Sequence, residues 1–233
     1  MQESTVVITG GTKGIGLALV QKFLNQGFNV FTCGSSPQSV ENLRSSLVHH
    51  HLDVSIVDLK DKVAIRNWAF QILDKASRVD VLINNAGRFL PGSIGEEEEN
   101  TFEELIATNL GSAYHATRAF LPEMKVAGKG HIFNICSTAS LIGYTNGGSY
   151  CISKFGLLGL SKVLREELKP FGIKVSSVLP GATFTDSWAS SGLPESRFMK
   201  PEDIADVVWG AYSLSPGCVV EEILLRPLAG DIS

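Results

Sequence analysis

The chain has 233 residues, 44% of them hydrophobic and 19% charged, with a formal net charge of -4. That length suits one large domain with a well-buried core, and the slight acidity gives no electrostatic reason to expect nucleic acid or an anionic membrane as a partner. No apolar run approaches the ~20 residues that span a bilayer, and Met1 to Thr5 lead straight into a strand-like stretch that leaves no room for a signal peptide.

Short β-branched runs alternate with amphipathic segments along the chain. Residues 5–9 read as a strand, followed by a glycine-rich turn at 10–16 and a helix ending near Gln26-Gly27. A second strand at 29–33 leads to a helix at 37–47, a third at 54–58 to a helix at 61–76, and a fourth lies at 79–83. A long helix at 101–127 stops at Gly128 and Gly130. A fifth strand at 130–136 precedes a helix at 149–169 that Pro170 ends. Strands at 173–179 and 219–225 then flank a helix opened by Pro201.

Runs such as Val-Leu-Ile are apolar on both faces, as in a parallel sheet covered by helices on each side. The pattern predicts a Rossmann-type, doubly wound α/β fold: a parallel sheet of seven strands with helices on both faces. There is no linker, repeat or low-complexity tract, so residues 1–233 are expected to form a single domain. Cys33, Cys136, Cys151 and Cys218 are scattered without Cys-x-x-Cys spacing and have mostly apolar neighbours. They read as buried free thiols in a cytoplasmic protein. His49, His50 and His51 read as a solvated loop rather than a metal site. Glu96 to Glu99 read as a solvated entry to the long helix, favoured by the positive end of its dipole.

The turn after the first strand carries Gly10, Thr12, Lys13, Gly14, Ile15 and Gly16. Glycines here let the backbone approach a pyrophosphate and present free N–H groups at a helix N-terminus. A purely structural glycine turn is the competing account, but the position between strand and helix is what dinucleotide binding requires. An NAD site normally has an acid after the second strand. Gly34, Ser35 and Ser36 stand there instead, with hydroxyls to meet a 2′-phosphate and Lys13 to supply charge. NADP(H) is therefore the favoured cofactor, with NAD(H) not excluded.

Tyr150 and Lys154 lie four apart on one helix face. An ammonium and an oxidised nicotinamide beside a phenol favour its ionised form, although taken by itself the pair is better explained as an ordinary amphipathic face. Other polar residues gather at the expected carboxyl rim of the sheet. Asn85, Ala86 and Gly87 follow Asn84 after the fourth strand, Ser137 follows the fifth, and Pro180 with Gly181 follows the sixth, with Thr185 beyond. Asn109 sits inside the long helix, where it needs a specific partner.

In these residues the sequence resembles the short-chain dehydrogenase/reductase family. The resemblance covers the Thr-Gly-x-x-x-Gly-x-Gly turn from Thr9 to Gly16, the Asn-Asn-Ala-Gly stretch from Asn84 to Gly87, and the set Asn109, Ser137, Tyr150 and Lys154, and it extends from residue 5 to about 205. It implies hydride transfer between nicotinamide and a small carbonyl or alcohol substrate, a ketone or a 3-oxoacyl thioester among them. By this resemblance Tyr150 is the proton donor, Ser137 the partner of the substrate oxygen, Lys154 the ribose anchor that lowers the tyrosine pKa, and Asn109 the holder of a relay water. Asp58 with Leu59 would meet adenine, with Asp53 a competing match, and the backbone near Ala182 with Thr185 would hold the carboxamide. A homodimer or homotetramer is expected, along with a substrate lid over about 186–200 carrying Trp188, Leu193, Phe198 and Met199 as pocket lining or as staples. Thr183 stands where the family usually has an aliphatic residue, and the common Asp-Gly-Gly ending is absent. A catalytically idle NADP(H)-binding sensor or scaffold is the alternative, though it would be expected to lack the Tyr or the Lys. An epimerase would need a longer C-terminal region.

Overall fold

Val6, Val7 and Ile8 are all fully buried because both faces of the first strand are covered. Val6 and Ile8 join one hydrophobic cluster with Leu19, Phe23 and Val208, while Val7 joins another with Trp68, Phe120 and Leu164. The computed structural model describes residues 4–76, 78–188 and 191–231. Its strands are β1 (Thr5–Ile8), β2 (Asn29–Gly34), β3 (Leu52–Ile56), β4 (Val81–Asn84), β5 (Gly130–Ile135), β6 (Ile173–Pro180) and β7 (Glu222–Leu225). All pair in parallel in the order β3-β2-β1-β4-β5-β6-β7. The chain reverses direction of travel across the sheet between β1 and β4, the crevice where open α/β sheets take their ligands.

The helices are α1 (Gly14–Asn25), α2 (Pro37–Ser46), α3 (Lys62–Lys75), α4 (Thr101–Leu105), α5 (Ser112–Ala127), α6 (Gly148–Leu168) and α7 (Pro201–Tyr212). Residues of α1 and α7 fill the cluster on one face, and those of α3, α5 and α6 the cluster on the other. The expected doubly wound sandwich is what forms.

Several boundaries differ from the sequence reading. β3 begins two residues early and ends at Ile56, because Asp58 turns the chain: its carboxylate accepts the Lys60 N–H at 3.0 Å and its carbonyl that of Asp61 at 3.1 Å. The long helix is interrupted by a π-helical stretch, Ile106–Gly111, between α4 and α5. β7 forms its ladder only from Glu222, since the apolar Val219-Val220 run precedes the pairing to β6.

Cys33, Cys136 and Cys151 are buried free thiols, but Cys218 is exposed. His49 stacks on His50 at 5.0 Å, His51 packs tilted against both, and its Nδ1 lies 2.8 Å from Asn29 Oδ1. No group of three potential metal ligands occurs among the described residues, and no described helix is long and apolar enough to cross a membrane. Of the expected lid, Ala189 and Ser190 lie outside the described residues, as do Met1 to Glu3 at the start of the chain.

Candidate active site

The phosphate-type turn is built by close approach. A Cβ on Gly16 would stand 2.2 Å from the Gly10 carbonyl oxygen, so no side chain fits there. Gly10 and Gly14 adopt φ of 69° and 53°, which glycine tolerates without cost. The Gly11 N–H donates to Thr32 Oγ1 at 3.1 Å and to the Cys33 carbonyl at 3.2 Å. Thr12 packs against Gly34, where any Cβ would come within 2.7 Å of its methyl. Asn85 closes the turn from β4, its amide donating to the carbonyls of Thr9 and Gly10 at 3.0 Å each, and Thr9 Oγ1 accepts the N–H groups of Asn85 and Ala86. The turn, Ile15 in α1 and the Asn85–Ala86 segment therefore form one fixed piece at the β1–β4 crevice.

Ser35 and Ser36 are exposed beyond β2, and Ser36 caps α2 by accepting the Ser39 N–H at 3.4 Å. Lys13 does not extend toward them. Its ammonium pairs with Asp186 at 2.9 Å, while the Thr185 methyl lies against Gly14, so the segment from Thr185 rests on the turn. Asp58 is exposed and Leu59 half-buried just past the carboxyl end of β3. Asp53 lies inside β3 in an ion pair with Lys75 at 2.6 Å, which removes it as the competing match. Pro180 ends β6, and the Gly181 N–H donates to Leu225 at 2.8 Å. Thr183 is buried and turns its hydroxyl back to the Gly181 carbonyl at 3.1 Å. Phe198 and Met199 are buried, with Met199 in the main core and Phe198 packed at a tilt against Trp188 and Phe184, while Leu193 is exposed. Phe198 and Met199 also line a cavity with Arg226 and Leu228, so both packing and pocket-lining roles are open to them.

Ser137, Tyr150, Lys154 and Asn109 converge at the carboxyl rim. Ser137 lies two residues past β5 and caps a short 3-10 turn by accepting the Ala139 N–H at 3.1 Å, and its hydroxyl lies near enough to the Tyr150 phenol to favour the ionised form. Lys154 is 5% exposed, with its ammonium 5.9 Å from the Tyr150 ring centre and donating to the Ile135 carbonyl at 2.9 Å. Phe89 packs edge-on against the Tyr150 ring at 4.9 Å. A Cβ on Gly87 would come within 3.4 Å of Asn109 Oδ1 and 3.5 Å of Lys154 Nζ, so its bare backbone keeps both approachable.

Asn109 is fully buried in the π-helical stretch, a distortion that often marks a functional site. Its Oδ1 accepts the Arg88 N–H at 2.7 Å, and its amide donates to the Arg88 carbonyl and to Ser153 Oγ. Both amide hydrogens are thus spent. A relay water would have to donate to the side-chain oxygen's second lone pair or to the main-chain carbonyl.

Burial pushes the Tyr150 phenol up from its ordinary value, with the nearby Ser137 hydroxyl acting in the opposite sense. Burial pushes Lys154 down, opposed by the neighbouring Cys136. Both shifts favour the neutral forms. At the phenol, desolvation outweighs the opposing Ser137 contact.

Two contacts were invisible in the sequence. Phe89 reaches Tyr150 across 61 residues of chain, and Glu97, read as part of a solvated run, accepts the Ser149 N–H at 2.8 Å at the start of α6. Neither the run of glutamates nor the spacing signals this.

A sequence profile described as short chain dehydrogenase matches residues 4–195. The chain belongs to this oxidoreductase family. It is 32% identical over 237 residues to a sepiapterin reductase of Chlorobaculum tepidum, covering 97% of each. It is also 32% identical over 238 residues to a 3alpha-hydroxysteroid dehydrogenase of Mediterraneibacter gnavus, covering 96% of this chain and 95% of the relative. Among solved structures, a metagenomic short-chain oxidoreductase in complex with NADP superposes with a TM-score of 0.83 at 32% identity, covering 96% of each chain. The relatives are reductases and dehydrogenases, and so this chain is an enzyme of the same class.

Proposed function

We propose that this enzyme uses NADP(H) to transfer a hydride between the nicotinamide and a small carbonyl or alcohol, with Tyr150 as the proton-transfer residue. The observation that carries the reading is the meeting of Tyr150, Ser137 and Lys154 beside the glycine turn at one rim of the sheet. The residues fit a dinucleotide. The Gly10–Gly16 turn admits no side chain at Gly16, no carboxylate follows β2, and Ser35 and Ser36 lie exposed where a 2′-phosphate would be received. The NADP complex of the similar metagenomic oxidoreductase supports the same choice.

When bound, the cofactor supplies the hydride to the carbonyl carbon. The π electrons of the carbonyl then move onto its oxygen, where Ser137 stabilises the developing charge. Tyr150, held neutral by burial, gives its proton to that oxygen. Lys154 would hold the ribose of the bound cofactor and return a proton toward the phenolate, taking its replacement from solvent through the water that Asn109 would hold, while Asn109 also fixes the Arg88 backbone on the far side of Gly87. Gly14, Ile15, Gly16, Asn85 and Ala86 line the pyrophosphate side, Asp58 and Leu59 the adenine end, and Pro180, Gly181 and Thr185 the carboxamide end.

Residues 1–233 act as one domain, with the lid at about 186–200, in a cytoplasmic setting that suits four free thiols. Exposed Tyr114, Ile152, Phe155 and Val163 on the outer sides of α5 and α6 form an apolar surface for a second copy. The test is a panel of ketones, aldehydes and 3-oxoacyl thioesters followed by NADPH absorbance. Consumption with at least one class supports the reading, and none across the panel rejects it.

A further inference from the structure

We infer that Glu97 is a positioning residue for Tyr150, acting through the first turn of α6. The chain after Gly87 crosses the start of this helix and is stitched to it at three points. Phe89 packs on the Tyr150 ring. Gly92 forms a parallel bridge with Gly147, its N–H donating to the Asn146 carbonyl at 3.0 Å. Glu97 accepts the Ser149 N–H at 2.8 Å through one carboxylate oxygen and the Ser149 hydroxyl through the other.

A helix of 21 residues leaves its first N–H groups without partners in the helix, and the residue before α6, Gly147, has no side chain to cap them. Glu97 does this from 52 positions away, placing a negative charge at the positive end of the helix dipole. The space is cut to fit. A Cβ on Gly148 would stand 2.2 Å from Glu97 Oε1, and one on Gly92 would stand 2.7 Å from Glu97 Cγ. Ser149 is 2% exposed, so its hydrogen bonds to Glu97 are shielded from water on the serine side. Tyr150 is the next residue. Its hydroxyl must meet Ser137, which is fixed independently at the end of β5, and a shift of the helix start by a fraction of an ångström moves the acid against that partner.

This inference depends on Tyr150 being the proton donor. The test compares Glu97→Ala, Glu97→Gln and Ser149→Ala with the wild-type enzyme, using the carbonyl compound that the wild type reduces. For Glu97→Ala the account predicts a roughly tenfold or greater loss of kcat with KM for NADPH unchanged, and Glu97→Gln, which keeps the acceptor for the Ser149 N–H, restores most of it. Hydrogen exchange of the peptide covering residues 147–154 needs no substrate and should speed up in Glu97→Ala alone of the two Glu97 variants. Wild-type kcat and unchanged exchange in Glu97→Ala would overturn the inference, as would a loss of kcat matched by an equal loss of NADPH affinity. Should Tyr150→Phe retain full turnover, the assignment of the acid fails instead, and the exchange measurement still decides whether Glu97 holds the helix.

Discussion

Lys154 Nζ donates to the carbonyl oxygen of Ile135 at 2.9 Å, tying the ammonium of α6 to the last residue of β5. Ser137 follows two residues later, so one contact fixes the spacing between the helix that carries Tyr150 and the strand end that carries its partner. Replacing Lys154 with Met removes the donor and leaves a buried carbonyl unpaired, at a cost of about 1–3 kcal/mol. Turnover should fall and NADPH should bind more weakly, as read by steady-state kinetics and fluorescence titration. Lys154→Arg should not rescue either, because a planar fork does not fit a site made for a compact ammonium.

The ion pair between Lys13 and Asp186 is exposed on both sides, with side chains 70% and 74% accessible, and contributes little to stability. Its effect should appear in cofactor choice. If the Lys13 ammonium leaves Asp186 for the 2′-phosphate when the dinucleotide binds, Lys13→Ala is expected to weaken NADPH by about tenfold and NADH much less. Asp186→Asn frees the ammonium and should tighten NADPH. Isothermal titration with both dinucleotides checks the pair, and equal losses for NADPH and NADH in Lys13→Ala would remove the residue from 2′-phosphate recognition.

Gly16→Ala places a methyl 2.2 Å from the Gly10 carbonyl oxygen, backbone that has no flexible way to yield. The turn must open, costing about 1–3 kcal/mol of stability and most of the affinity for either dinucleotide. Thermal melting and NADPH titration of the variant measure both.

The order of the elements, the parallel sheet and the carboxyl-rim cluster were legible because they follow from local signals: β-branched runs buried on both faces, glycines in a strand-to-helix turn, and a Tyr and Lys one helical turn apart. What was not legible depends on groups far apart in the chain. Glu97 looks like one of four exposed acids until the fold lays it on Ser149, and Lys13 looks free until Asp186 arrives from the lid. The rise in the Tyr150 pKa belongs to the same class, because desolvation is a property of the packed site and not of the residue pair. The start of β3 was misjudged because an edge strand with one neighbour carries a weak alternation, burying only Val54 fully.

His131 supplies a pH test of the core. It is 2% exposed, stacks on Phe133 at 3.9 Å and lies 2.8 Å from Ser176 Oγ, and burial, helped by Lys174, pushes its pKa from 6.5 down to about 3. A lowered pKa means that the unfolded chain takes up the proton first. The stability contribution is therefore present above pH 6.5 and is lost as pH falls toward 3, by about 4 kcal/mol at the lower end. Urea unfolding across this window should show the decline, and His131→Gln should flatten it.

The most direct measurement is turnover of Tyr150→Phe beside its NADPH affinity. The phenol packs against Phe89 and meets Ser137 through its hydroxyl, so removing that oxygen keeps the ring contacts and deletes only the proton. The account predicts a loss of kcat of about 10²–10⁴-fold with NADPH binding within a factor of about two of wild type. Retained turnover in this variant would contradict it.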